Sequence, residues 1–219
     1  LAAQAGVRYS ISDPHAYIKS NFEAKLNILE IAKNLAKLKS LIYASSSSVY
    51  GNNQSIPFKI DQKLTSPLSL YAATKIGGEA MAYSYSSLYN VKAIGLRFFT
   101  VYGPWGRPDM AIFKFTKAIY EEEPITLFNY GKMKRYFTYI DDIVYALNSC
   151  LSLNMGNDNN HRVYNLGNNN PINLKELVTI IEETIGKKAI INYAELQQGD
   201  MLETYADIEE SSRDLNFYP

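Results

Sequence analysis

The run Leu41-Ile42-Tyr43-Ala44-Ser45-Ser46-Ser47-Ser48-Val49-Tyr50-Gly51, followed by Tyr71-Ala72-Ala73-Thr74-Lys75, decides how this chain reads. Its apolar start predicts a buried strand over 41–46 that ends among serines. Residues 52–69 are polar, carry Pro57 and Pro67, and read as a loop over the strand's end. A helix over 71–89 and a second strand over 93–100 follow. Strand, helix and strand in this order imply a parallel, doubly wound sheet. Upstream, Pro14 opens a segment in which Phe22, Leu26, Leu29, Ala32, Leu35 and Ala36 keep helical spacing. From about residue 104 the pattern changes to helices over 112–121, 139–151 and 174–185, with short strands over 125–128, 163–166 and 189–193. Residues 1–103 therefore read as a sheet domain and 104–219 mainly as a smaller α/β unit, interleaved with the first.

Ligands of doubly wound sheets lie outside the carboxyl ends of the strands, where Ser46 and Thr100 fall. Residues four apart share a helix face, so Lys75 lies beside Tyr71. A free phenol titrates near pH 10, too high for a base at neutral pH, and a neighbouring ammonium favours the phenolate. Ser46 supplies a hydroxyl for a reacting alcohol, with Ser48 as the alternative, while other serines of the cluster cap the turn. The set is suited to taking a proton from a substrate hydroxyl. The competing reading is an ordinary helix start with a solvated lysine. Spacing alone decides little: with 18 tyrosines in the chain, chance predicts about one such Tyr–Lys pair. A second copy, Tyr130 and Lys134, sits in a glycine-containing turn with no serine cluster before it and reads as a decoy.

With these residues in view, the chain resembles the extended short-chain dehydrogenase/reductase family, specifically its nucleotide-sugar 4-epimerases. Four further stretches carry the likeness: residues 1–8, Asp13-Pro14 through Asn21, Leu96-Arg97-Phe98-Phe99-Thr100-Val101-Tyr102-Gly103-Pro104, and Arg135-Tyr136-Phe137-Thr138-Tyr139-Ile140-Asp141-Asp142. Within that family Trp105-Gly106-Arg107-Pro108-Asp109-Met110-Ala111 is most similar to UDP-glucuronate 4-epimerases. The resemblance implies NAD as cofactor, a UDP-sugar as substrate, and Ser46, Tyr71 and Lys75 as catalytic residues. It implies cofactor contacts from Ala2, Ala3, Asn21, Tyr71, Lys75 and Phe99, though the small or amide side chains of the first three would suit a plain core as well. On the substrate side it implies Ser46, Ser48, Thr100, Arg107, Arg135, Asn165 and Asp200. Arg107 and Thr100 are assigned to a C6 carboxylate, because an arginine fork pairs with a planar carboxylate better than with a hydroxymethyl group. Alternatives stand beside these assignments: Arg107 anchoring its own loop, Arg135 pairing with Asp141 or Asp142, and Asn165 and Asp200 as turn formers.

The family's Gly-rich nucleotide turn has no counterpart, since neither G-x-G-x-x-G nor G-x-x-G-x-x-G occurs. The expectation is therefore an incomplete Rossmann-type sheet, lacking its first strands and Gly-rich loop, beside a small α/β substrate-binding domain. Such a chain would expose sheet edges and apolar helix faces, hold NAD poorly and turn over no sugar by itself. An inactive remnant, or a subunit completed by a separately encoded N-terminal half, belongs to the same expectation, as does a homodimer. A 4,6-dehydratase or decarboxylase is the other enzyme reading, but between Ser45 and Tyr71 Asp61 stands without the partner acid that a dehydratase needs. The balance of 22 basic and 22 acidic residues gives no footprint for nucleic acid, and no apolar run approaches a membrane span. Cys150 has no partner for an internal disulfide and suits a cytoplasmic setting. His15 and His161 lack ligands at metal spacing, so no metal is expected.

Overall fold

The computed structural model describes residues 3–156, 160–196 and 204–219. In chain order the elements are α1 (Tyr9–Ser12), α2 (Pro14–Tyr17), a π-helical turn (Ile18–Glu23), α3 (Ala24–Lys33), β1 (Leu41–Ser46), α4 (Leu70–Tyr89), β2 (Ala93–Phe98) and β3 (Thr100–Tyr102). There follow α5 (Ala111–Tyr120), β4 (Pro124–Phe128), β5 (Lys134–Arg135), β6 (Phe137–Tyr139), α6 (Ile140–Ser152), β7 (His161–Leu166), β8 (Ile172–Asn173), α7 (Leu174–Ile185), β9 (Ile190–Ala194) and α8 (Glu209–Leu215).

The central sheet is parallel, in the order β1-β2-β7, with Ser46 paired to Phe98 and Phe98 to Leu166. The doubly wound α/β class expected from the alternating elements is what the structure shows. The crossover helix α4 starts where Ser69 caps it, its side chain accepting from Ala72 N at 3.1 Å, and stops at Asn90 in the left-handed region. One core lies between the sheet and helices α6 and α8, joining Ile94, Leu96, Tyr164 and Leu166 to Ile143, Ala146, Cys150, Leu215 and Phe217. A separate core is built by α5, α7, β4 and β9 around Ile119, Leu127, Leu177 and Ile181. Short ladders connect these parts, β3 with β6 in parallel and β5 with β8 antiparallel.

The segment after Pro14 departs from its expected single apolar face. Leu29 and Ala32 are buried, but Phe22 (39% exposed), Leu26 (42%) and Leu35 (52%) are not. The π-helical turn inserts an extra residue ahead of α3, which breaks the 3.6-residue register counted from Pro14. Phe22 instead lays its ring on Gly77 of α4, where an added Cβ would stand 2.3 Å from the ring edge. The strand expected to run through Thr100 also divides. β2 ends at Phe98, and Thr100 belongs to a different ladder.

Buried charges tie α4 to the sheet. Arg97 of β2 donates from Nε to Glu79 Oε1 at 3.0 Å and from Nη2 to Oε2 at 2.8 Å, with both side chains under 10% exposed. Glu79 also accepts from Ser45 Oγ, and Arg97 Nη1 donates to Tyr50 Oη and Ile60 O. Removing one partner of such a pair strands a charge without water or counter-ion. Glu79→Ala is expected to lower unfolding stability in urea by about 3–5 kcal/mol, and the double replacement Glu79→Met with Arg97→Met to recover most of that loss.

Candidate active site

The C-terminal ends of β1 and β2 and the start of α4 converge beside the α5–α7 unit. Between them opens a cleft of about 790 Å³ whose lining includes Ser48, Tyr71, Thr100, Arg107 and Arg135. Tyr71 sits in the first turn of α4, and Lys75 one turn on holds its Nζ 5.7 Å from the tyrosine ring centroid. Tyr17 also meets the Tyr71 ring, edge-on with centroids 6.0 Å apart. The Tyr17 hydroxyl is fixed by Ala5 O at 2.9 Å and Gly6 O at 2.5 Å, which brings the segment before α1 against the cleft.

The serine cluster turns sharply because Ser46 caps a 3-10 turn over Ser47–Tyr50, accepting from Ser48 N at 3.2 Å. Ser46 Oγ donates to Ser48 Oγ at 3.2 Å. Ser48 lines the cleft, whereas Ser46 lies just behind it, 8% exposed. The two hydroxyls form a short chain leading to the cleft.

Lys75 is buried and donates to Ala44 O at 3.0 Å; burial pushes its pKa below the ordinary lysine value. It lines a smaller cavity of about 230 Å³ with Ala3, Asn21 and Thr74. Asn21 clasps Gln4 through both backbone bonds, 2.8 and 2.9 Å, and donates to Thr74 Oγ1 at 3.2 Å. Thr74 in turn donates to Tyr71 O at 2.8 Å, so the amide steadies the helix turn that carries Tyr71.

Arg107 reaches the cleft from the loop after β3, its fork held by Asp109. The contact lowers the Asp109 carboxyl below its usual range. Arg135 stands on β5, donating from Nη1 to Lys134 O at 2.9 Å and from Nη2 to Met133 Sδ at 3.3 Å. Two of the expected contact residues have close neighbours of their own within the protein. The Asn165 side chain is 1% exposed, donating to Phe58 O and Asp207 O and accepting from Tyr50 Oη, so it braces the loop after β1. Phe99 packs its ring among Tyr50 and Phe58 and over Gly167. Ala2 and Asp200 lie outside the described residues.

The residue that sequence reasoning passed over is Lys25. Its Nζ lies 3.3 Å from the Tyr43 ring centroid in the smaller cavity, without a hydrogen-bond partner among the described residues. Among the described residues no group of His, Cys, Asp and Glu is placed to hold a metal, and no helix is long and apolar enough to cross a membrane.

The sequence model of the NAD dependent epimerase/dehydratase family matches residues 1–167. Protein CapI of Staphylococcus aureus is 51% identical over 233 residues, covering 100% of this chain and 70% of that relative. A protein described as a probable UDP-glucuronate 4-epimerase of Rhizobium meliloti is 44% identical, with 94% of this chain and 64% of the relative covered. The crystal structure of the UDP-glucuronic acid 4-epimerase from Bacillus cereus, in complex with UDP-glucuronic acid and NAD, matches with a TM-score of 0.90 at 35% identity, covering 100% of this chain and 68% of that one.

Burial of Lys25 lowers its pKa from 10.5 to about 7, with Lys75 adding to the effect. Between those values the unfolded chain binds more protons than the folded one, so stability rises with pH across that window. Urea midpoints measured at pH 7 and pH 9 are expected to rise in the wild type, and to rise less in Lys25→Met.

Proposed function

The chain belongs to the NAD dependent epimerase/dehydratase family, and on that premise we propose that it carries the catalytic and sugar-binding residues of a 4-epimerase acting on a UDP-linked uronic acid. One observation carries the reading: Ser48, Tyr71, Thr100, Arg107 and Arg135, from four separate stretches of chain, line a single cleft. A proton acceptor, a hydroxyl relay and two guanidinium forks are the groups that a sugar acid joined to a diphosphate calls for.

The smaller cavity suits the nicotinamide ribose of NAD. Ala3 leaves room for it and the Lys75 ammonium has donors to spare for ribose hydroxyls, while Asn21 and Thr74, bonded to Gln4, to each other and to Tyr71 O, hold the wall of the cavity in place. NAD, when bound, supplies the acceptor and donor of the hydride. Tyr71 takes the proton of the sugar's 4-hydroxyl as it is oxidised to a 4-keto sugar, and Ser46 and Ser48 hold that oxygen in a hydrogen-bonded chain. Lys75, on the same helix face, stabilises the charge that develops on the phenol oxygen. Arg135 grips the diphosphate, so the keto sugar turns about that anchor and offers its opposite face before Tyr71 returns the proton. Arg107 and Thr100 hold the carboxylate at the cleft wall.

The test is conversion of UDP-glucuronate to UDP-galacturonate by the full-length gene product carrying these residues, followed by proton NMR with NAD supplied. Tyr71→Phe is expected to reduce kcat by about 10²–10⁴-fold while UDP-glucuronate still binds. A wild-type protein that binds NAD and UDP-glucuronate yet shows no interconversion refutes the assignment.

A further inference from the structure

A guanidinium has two bidentate edges, and Arg107 uses one of them inside its own loop. Asp109 Oδ1 accepts from Nε at 3.1 Å and Oδ2 from Nη2 at 2.5 Å. That engages the Nε–Nη2 edge and leaves the Nη1–Nη2 edge, a second fork of the same geometry, for another carboxylate. The guanidinium also lies on Gly6: a Cβ there would stand 3.0 Å from Nη2, on a backbone with φ of +100°. Bare backbone on one side and a carboxylate on the other thus fix a long side chain whose rotamers would otherwise have to be frozen when a ligand arrives.

We propose that Asp109 is a positioning residue for carboxylate recognition: it clamps one edge of Arg107 over Gly6 so that the other edge is preset for the acid group of the ligand. The proposal rests on the uronic-acid reading of the cleft. The Arg107 and Asp109 side chains are 46% and 58% exposed, so solvent screens part of what their two hydrogen bonds contribute to folding. A mere brace for the loop would gain little from this pair, whereas orientation of the fork matters directly to a planar anion. Both residues line the cleft that contains Tyr71, so the preset edge belongs to the reacting site.

The experiment is calorimetric binding of UDP-glucuronate and of UDP-glucose to the full-length gene product, with Asp109→Asn and Gly6→Ala compared with wild type. In Asp109→Asn, Kd for UDP-glucuronate is expected to rise about three- to fivefold, with UDP-glucose binding and the melting midpoint unchanged. Gly6→Ala displaces the guanidinium from its other side and is expected to show the same selective loss in binding, together with a lower melting midpoint from the backbone strain at φ of +100°. Asp109→Glu, which keeps the carboxylate, restores part of the affinity. Equal weakening of both ligands, unchanged UDP-glucuronate binding, or tighter binding once Asp109 is neutral would each overturn the proposal. A wild type that ignores UDP-glucuronate overturns the functional reading as well; a wild type that binds it beside an Asn variant that binds equally overturns the role of Asp109 alone.

Discussion

The buried Glu79–Arg97 pair is the constraint on which the rest of this structure depends. Taking two charges out of water is repaid only when every lone pair and proton finds a partner. Here the carboxylate receives Ser45 and two guanidinium nitrogens, and the third nitrogen reaches Tyr50 and Ile60 O. Tyr50 passes the chain on to Asn165, which binds the loop at Phe58 and the segment at Asp207. One network therefore sets α4 against β1, β2 and β7. Tyr71, Lys75 and Glu79 lie at four-residue steps on one face of α4, so the bond that fixes Glu79 also fixes where the tyrosine meets the serine turn.

A second constraint creates the space beside them. The chain leaves the central sheet after Phe98, and the ring of Phe99 is driven into the core under the loop that follows β1. Thr100 consequently emerges paired to Phe137 and not to the central sheet. That displacement puts Thr100, and the Arg107 loop behind it, across from Tyr71, with Arg135 carried in by the next short ladder. The cleft exists because the strand does not continue.

The elements that the sequence made readable are those with a strong local signal. The helix from Leu70 has a Ser69 cap, and the helix from Leu174 has regular apolar spacing and a left-handed Gly186 at its end. β1 and β2 are apolar runs between turn residues. What stayed hidden is set by partners far away in sequence. The π-helical turn before α3 has no composition of its own, and the two-residue ladder of Lys134–Arg135 has no periodicity to detect. Asn165 reads locally as a strand-end ligand or a turn former, and the carbonyls of Phe58 and Asp207 that its amide reaches are 107 and 42 residues distant. Arg97 inside an otherwise apolar strand was the available signal for the buried network, because a lone charge there demands an acid from a neighbouring element. Lys25 gave no such signal, since a lysine on a helix is ordinarily solvated.

Charge placement carries the argument for a polyanionic ligand further than the total charge could. Across the whole chain 22 basic residues balance 22 acidic ones, so no long-range field favours an anion. Among the described residues, Arg8, Arg107, Lys114 and Arg135 line the cleft together with Asp109. Asp109 is engaged by Arg107, and the second edge of that guanidinium faces a ligand in the cleft without competition from its own loop. A diphosphate at Arg135 with a carboxylate at Arg107 would place two anionic groups of one ligand against two separated guanidinium groups. Anchors at both ends would leave the ring between them free to turn about the line that joins them, which an inversion at one ring carbon would require.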